Sequence, residues 1–142
     1  MSRISQFSVV HNSLKTSHIK GKVISGSGKG AKFTELPWVK EQIAQEAGFT
    51  PHPGTLNVKV AEPNILKRLL ENAKWIEILP VNGFCRGKII KAYFMDNLEC
   101  AIIVPEVENY PEDIIELVAP INLRKKFRLR DSDIVEVKIP LQ

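Results

Sequence analysis

The amino-acid sequence predicts a mainly β, α+β fold: a small, mostly antiparallel β-barrel with peripheral helices. Three observations lead there. Short runs that alternate apolar and polar residues, or are rich in β-branched ones, recur from Lys22 to Ile139. Few helical stretches interrupt them, at irregular places, so the strand–helix–strand rhythm of a parallel sheet is missing. The chain's 142 residues suit one domain with a real core. The expected division is an N-terminal extension over residues 1–20 and a barrel domain over 21–142.

Residues 1–20 are polar, with serines at 2, 5, 8, 13 and 17, and lack periodicity, so they read as an extension or a peripheral strand. Lys22 to Ser25 is a short strand candidate that leads into Gly26-Ser27-Gly28-Lys29-Gly30. Pro37 opens a helix that Gly48 stops, with Val39, Ile43, Ala44 and Ala47 as its apolar stripe. The prolines of Phe49-Thr50-Pro51-His52-Pro53-Gly54 make a stiff, extended connection, in which His52 reads as an exposed loop histidine. A strand then follows, with Leu56, Val58 and Val60 on one side and Thr55, Asn57 and Lys59 on the other.

Glu62 to Asn72 predicts a second helix whose buried stripe is Ile65, Leu66, Leu69 and Leu70. Trp75 to Ile78 is a short strand, and Val81 to Phe84 is turn-like. Lys88–Met95 and Leu98–Val104 flank Asp96-Asn97, a hairpin signal. After a polar loop from Pro105 to Pro111 come a strand from Ile114 to Ala119, a short helix from Asn122 to Phe127 and a last alternating strand from Ile134 to Ile139.

Bulk properties set limits on function. Charged residues make up 25% of the chain and the net charge is +4, which favours an anionic partner only mildly because both signs are mixed throughout. The two cysteines, Cys85 and Cys100, form no C-x-x-C pair and are expected to be reduced and partly buried. His11, His18 and His52 are too scattered for a metal cluster. No apolar run is long enough for a membrane span, and no apolar signal region opens the chain, so a cytoplasmic protein is expected.

The stretch with chemical promise is Gly54-Thr55-Leu56-Asn57-Val58, taken with the glycine segment upstream. Thr55 and Asn57 put two neutral side-chain oxygens on one face of a strand, a set suited to a hard cation that also holds phosphate oxygens. Glycines at 26, 28 and 30 let backbone N–H groups approach a phosphate closely. The segment is neither a Walker A loop nor a G-x-G-x-x-G fingerprint, since no Gly-Lys-Ser/Thr follows at the right spacing and position 31 is Ala. A solvated strand face and a flexible hairpin turn account for the same residues without any ligand.

Several pieces occur in order: Gly-x-Gly-x-Gly, a proline-led helix, Pro-x-Pro-Gly-Thr-Leu-Asn-Val, Ala-Ile-Ile-Val-Pro, Tyr-Pro-x-Asp-Ile-Ile-Glu-Leu-Val-Ala-Pro and Asn-Leu-Arg. Together they resemble the archaeal-type CTP-dependent riboflavin kinase family over roughly residues 21–139. The resemblance implies a cradle-loop (RIFT-type) barrel that transfers the γ-phosphoryl of CTP to riboflavin, giving FMN and CDP. By position it implies that Gly26, Ser27, Gly28, Lys29, Gly30 and Ala31 line the nucleotide phosphates, and that Thr55 and Asn57 hold Mg²⁺. It further implies that Glu116 contacts the flavin; a carboxylate so placed can accept a hydrogen bond from the acceptor hydroxyl and serve as its base, a hypothesis apart from the resemblance. Ile121, Asn122, Leu123 and Arg124 would enclose the cytidine nucleotide, largely through backbone groups.

One position departs from the pattern: the family carries Thr two residues before Tyr-Pro, in contact with the flavin, and this chain has Glu108. An acid there repels a flavin phosphate, which leaves open a kinase that uses cytidine nucleotides on another small alcohol. A different class also stays open. Leu123 to Arg130 is rich in Lys and Arg and resembles the tail of swapped-hairpin DNA-binding regulators. DNA binding would leave the glycine segment and Thr55-x-Asn57 without a role. The expected partners are therefore CTP/CDP and riboflavin/FMN, with neither nucleic acid nor membrane, and the oligomeric state is not legible.

Overall fold

The computed structural model describes residues 16–26, 29–80, 86–95 and 97–141. The glycines at 26 and 30 thus fall within it, while Ser27 and Gly28 lie outside the described residues, as do the Val81–Phe84 turn, Cys85 and Asp96. Seven strands form one antiparallel sheet: β1 (Thr16–Ile24), β2 (Leu56–Val60), β3 (Ile76–Ile78), β4 (Gly87–Phe94), β5 (Leu98–Pro105), β6 (Ile114–Val118) and β7 (Ile134–Pro140). Their order is β3-β4-β5-β6-β2-β1-β7, and β4 also pairs with β7 through Tyr93 and Phe94. That pairing closes β4, β5, β6, β2, β1 and β7 into a ring, with β3 attached outside it on β4. The predicted small barrel is therefore the observed architecture; closure pairs the two ends of the ring, and the open edge that is left falls on the three-residue β3. The helices are α1 (Lys29–Glu35), α2 (Pro37–Ala47), α3 (Pro63–Asn72) and α4 (Leu123–Lys126).

The strands divide the apolar residues between two cores. Ile19, Val23, Val58, Phe94, Ile102 and Ile115 belong to the barrel interior. Phe33, Val39, Ile43, Ile89, Ile103 and Val118 form a second core where α1 and α2 cover the outside of β4, β5 and β6. This explains the unbroken buried run Cys100-Ala101-Ile102-Ile103 in β5: alternate residues serve different cores, so alternation in hydrophobicity vanishes. In β2 only the inner face is fully covered, and Leu56, Val58 and Val60 are buried as the pattern predicts. Cys100 is a free, buried thiol, and desolvation pushes its pKa up to about 12.

Helix α2 begins at Pro37 and ends at Gly48, which adopts φ 84° and donates its N–H to the Ala44 carbonyl, closing the expected left-handed C-terminal turn. The hairpin between β4 and β5 likewise uses positive φ, at Met95 and Asn97.

Three expectations need correction. Strand β1 starts at Thr16, so residues 16–20 belong to the sheet; Ser17, Ile19 and Lys20 lie opposite Ile139, Val137 and Glu136 of β7. The polar outer face of β1 hides the period in the sequence, because only Ile19 and Val23, with Gly21 between them, face inward. The segment after Gly28 is a helix rather than a continuing loop: in α1, Phe33 buries its ring against Gly87 and sits edge-on to Trp38 with centroids 6.1 Å apart. Tertiary packing of one aromatic ring overrides the glycine content there. In α3, Leu66 is buried and Leu69 and Leu70 are half-buried, but Ile65 is 42% exposed, so the helix is turned away from the expected stripe.

Gly21 marks a close backbone approach between two neighbouring strands of the ring. A Cβ there would lie 2.5 Å from the Lys59 carbonyl oxygen and 2.6 Å from Val58 Cγ1, atoms held by the β1–β2 ladder. Gly21→Ala should therefore destabilise the fold by about 1–3 kcal/mol, seen as a lower urea midpoint at unchanged m-value. An unchanged midpoint would show that the ladder yields at this point.

Candidate active site

The site is built on the outer face of β2 and β6. Asn57 lies directly opposite Glu116, Glu116 opposite Ile103 of β5, and Ile24 of β1 opposite Asn57. One row across the sheet thus runs Ile24, Asn57, Glu116, Ile103. Since Leu56, Val58, Ile115 and Leu117 point into the barrel, strand geometry alone sends Thr55, Asn57 and Glu116 to the same outer side.

Glu116 is 2% exposed and is the one buried acidic side chain among the described residues. A carboxylate removed from water costs several kcal/mol unless donors or a cation compensate. Two donors are present: Thr55 Oγ1 donates to Oε1 at 3.2 Å, and the Tyr110 hydroxyl donates to Oε2 at 2.5 Å. No ion pair among the described residues involves Glu116. Tyr110 is itself half-buried; burial first, then the hydrogen bond and charge of Glu116, push its phenol well above the ordinary tyrosine value, so it remains a donor.

Thr55 and Asn57, beside that carboxylate, fit a hard divalent cation. Thr55 spends its proton on Glu116, which leaves the lone pairs of Oγ1 for a metal. The Asn57 amide nitrogen points to the Thr55 carbonyl at 3.5 Å, and the amide oxygen is turned towards Gly26. A Cβ on Gly26 would lie 2.1 Å from that oxygen, so the missing side chain clears the space the amide occupies. Neutral oxygens beside a carboxylate match Mg²⁺ chemistry. Among the described residues no group of three or more His, Cys, Asp or Glu side chains is placed to hold a metal ion.

Next to Thr55 a cleft runs between His52–Leu56 and Ala119–Arg124, and its walls include Ile121, Asn122 and Arg124. The His52 N–H donates to the Ala119 carbonyl at 2.7 Å and ties the two walls together. Gly54, at φ 91°, makes the turn that delivers Thr55 to the strand. Asn122 is the N-cap of α4, its Oδ1 accepting from the Lys125 N–H at 3.0 Å, and the Leu123 side chain is buried in the barrel core, so these two side chains are committed to the fold. Arg124 Nη2 donates to Asp131 Oδ1 at 3.1 Å and reaches the Ile24 carbonyl at 3.4 Å, while Ser25 Oγ donates to Asp131 Oδ2 at 3.1 Å. The arginine therefore braces the exit of β1, where the glycine segment begins, and still has further N–H donors to offer.

The residues singled out from sequence are partly assembled. Gly26, Thr55, Asn57 and Glu116 converge on one row, and Ile121, Asn122, Leu123 and Arg124 sit with Thr55 on the neighbouring cleft. Ser27 and Gly28 fall outside the described residues, while Lys29, Gly30 and Ala31 form the first turn of α1 instead of an extended loop; the Ala31 carbonyl accepts from the Thr34 hydroxyl. Glu108 is exposed in the turn before Tyr110, where Asn109 adopts φ 59°, and among the described residues no hydrogen bond or ion pair links it to Glu116. The residue that sequence reasoning passed over is Tyr110. It stood inside the Tyr-Pro motif six positions before Glu116, but only the folded loop reveals that its hydroxyl turns back onto that carboxylate.

The barrel thus carries on one outer face a buried carboxylate with two neutral side-chain oxygens beside it, and an adjoining cleft. Residues 23–139 match the model of the CTP-dependent riboflavin kinase family, also described as domain of unknown function DUF120, and the chain belongs to that family. Its relatives include the riboflavin kinase of Pyrobaculum islandicum, 40% identical over 132 residues that cover 87% of this chain and 61% of the relative. The riboflavin kinase of Methanoculleus marisnigri is 38% identical over 125 residues, covering 85% and 56%. That of Archaeoglobus fulgidus is 35% identical over 134 residues, covering 89% and 56%. The chain thus spans about three-fifths of the length of the curated relatives it matches. Among the described residues no helix is long and apolar enough to cross a membrane.

Gly26→Ala should force the Asn57 amide out of the row while the barrel core stays intact, because the three atoms nearest the added Cβ all belong to that side chain. A crystal structure of the variant should show a rotated Asn57. An unmoved amide would mean that the β1 exit, rather than Asn57, gives way.

Proposed function

We propose that this chain is a CTP-dependent riboflavin kinase that transfers the γ-phosphoryl of CTP to the terminal hydroxyl of riboflavin, yielding FMN and CDP. The observation that carries the proposal is the buried Glu116 carboxylate, held by Thr55 and Tyr110 and facing Asn57 across the strand pair. Membership of the family and the names of the relatives support the substrates, and Glu108 makes the acceptor the point most in need of a test.

Phosphoryl transfer asks a protein for positioning and charge neutralisation more than for covalent chemistry. Thr55 Oγ1 and Asn57 Oδ1 would hold Mg²⁺, which when bound neutralises phosphate charge. Gly26 lies beside Asn57, and N–H groups of the glycine segment it opens would meet phosphate oxygens there. Arg124 adds positive charge from the cleft side. Backbone groups of Ile121 to Leu123 read the base, as the burial of Leu123 favours. Glu116 accepts a hydrogen bond from the acceptor hydroxyl and takes its proton as the new P–O bond forms. A reducing, cytoplasmic setting suits a chain whose Cys100 is a free buried thiol.

Incubation with Mg²⁺, riboflavin and each nucleoside triphosphate in turn should give FMN with CTP alone. Equal turnover with ATP would remove the cytidine requirement, and no FMN with any of the four would sink riboflavin as acceptor. Asn57→Ala should cut Mg²⁺-dependent turnover by about 100-fold at an unchanged melting temperature; unchanged activity removes Asn57 from the site. Glu116→Gln should lower kcat by about 100-fold or more while the CTP dissociation constant stays within about twofold. Equal loss of both would point to a folding defect.

A further inference from the structure

Tyr110 has no part in the transfer as described so far, yet it makes the shortest contact to Glu116. A glutamate side chain is loosely held at its last torsion, which is broad and roughly two-fold. With Thr55 alone on Oε1, the carboxylate plane could turn about that bond. A second donor on Oε2 fixes the plane, and a hydroxyl–carboxylate contact at 2.5 Å is in the strong, charge-assisted range.

We propose that Tyr110 is a positioning residue for phosphoryl transfer, holding Oε2 of Glu116 so that Oε1, shared with Thr55, faces the acceptor hydroxyl. The inference rests on the role of Glu116 proposed above. Three features support it. The phenol stays protonated because burial and the neighbouring carboxylate both oppose its ionisation, so it donates and never competes as a base. Its loop is anchored near both ends by backbone, through the Glu106 N–H on the Arg86 carbonyl and the Asp113 carbonyl on the Val60 N–H. The Tyr110 hydroxyl is thus not needed to hold those ends in place. Finally, Tyr110 and Thr55 approach the carboxylate from different segments, a loop and a strand, so together they fix it in two directions.

The test is Tyr110→Phe, Glu116→Gln and the double variant in the full chain, with kcat and both KM values measured and a crystal structure of Y110F. Loss of one hydrogen bond to a charged group should lower kcat by about tenfold or more in Y110F, with both KM values within about twofold. In the E116Q background the same substitution should change kcat by less than about twofold, because Tyr110 acts through the carboxylate. The Y110F structure should show the Glu116 carboxylate rotated. A wild-type kcat, an equal loss in both backgrounds, a raised KM at unchanged kcat, or an unmoved carboxylate each overturns the inference. If the wild-type chain phosphorylates no riboflavin with any nucleotide, the proposed function fails by itself. The carboxylate's orientation in Y110F then still decides whether Tyr110 positions Glu116.

Discussion

The constraint on which the site depends is the burial of one negative charge outside the barrel. Glu116 sits between Asn57 and Ile103, under a loop and beside a strand, with two hydroxyls as donors and no described cation paired to it. Neutral donors reduce the cost of such a carboxylate but do not cancel its field. Under the proposed function, a divalent ion next to Thr55 and Asn57 would offset that field, since both residues present oxygen and neither adds charge.

The barrel supports this arrangement because it has two cores rather than one. The interior core holds β2 and β6 from inside, and the second core clamps β5 and β6 from outside through Phe33, Val39 and Ile43. Glu116 therefore lies on a strand pinned on both faces, which limits how far its backbone can move. The opposite side of the row is looser in composition but braced by polar contacts: Arg124 and Ser25 meet on Asp131 where β1 ends. Gly26 follows at once, and its missing side chain is what gives Asn57 its place.

Much of this was legible from residue patterns. Alternation in β2, the proline and glycine that bound α2, and the last strand all follow from local rules, because one face of each is buried and the other wet. Strand β1 was truncated because its outer face carries His18, Lys20 and Lys22, and its pairing with β7 depends on residues more than a hundred positions away. Helix α1 was missed because a single ring, Phe33, decides it by docking over Gly87. Thr55, Asn57 and Glu116 could be nominated from spacing and family resemblance, and strand geometry gathers them. Tyr110 could not, since nothing in a one-dimensional pattern says that a loop residue returns to a buried carboxylate.

The order of residues along the row also bears on how transfer would proceed. Gly26 and Asn57 lie at one end, Glu116 further along, and the loop that carries Tyr110 brings its hydroxyl onto Glu116. In-line displacement requires the attacking oxygen and the leaving oxygen on opposite sides of the phosphorus. Under the proposed function, a row that separates Asn57 from the Glu116 carboxylate by one strand spacing, about 4.7–4.9 Å, would offer that separation without any motion of the barrel. Both parties to the reaction would then be set by adjacent antiparallel strands, whose register is fixed by the apolar residues on their inner faces. A one-residue slip of β2 would turn Asn57 inward and Leu56 outward, so the packing of the interior core and the competence of the site are enforced by the same alternation.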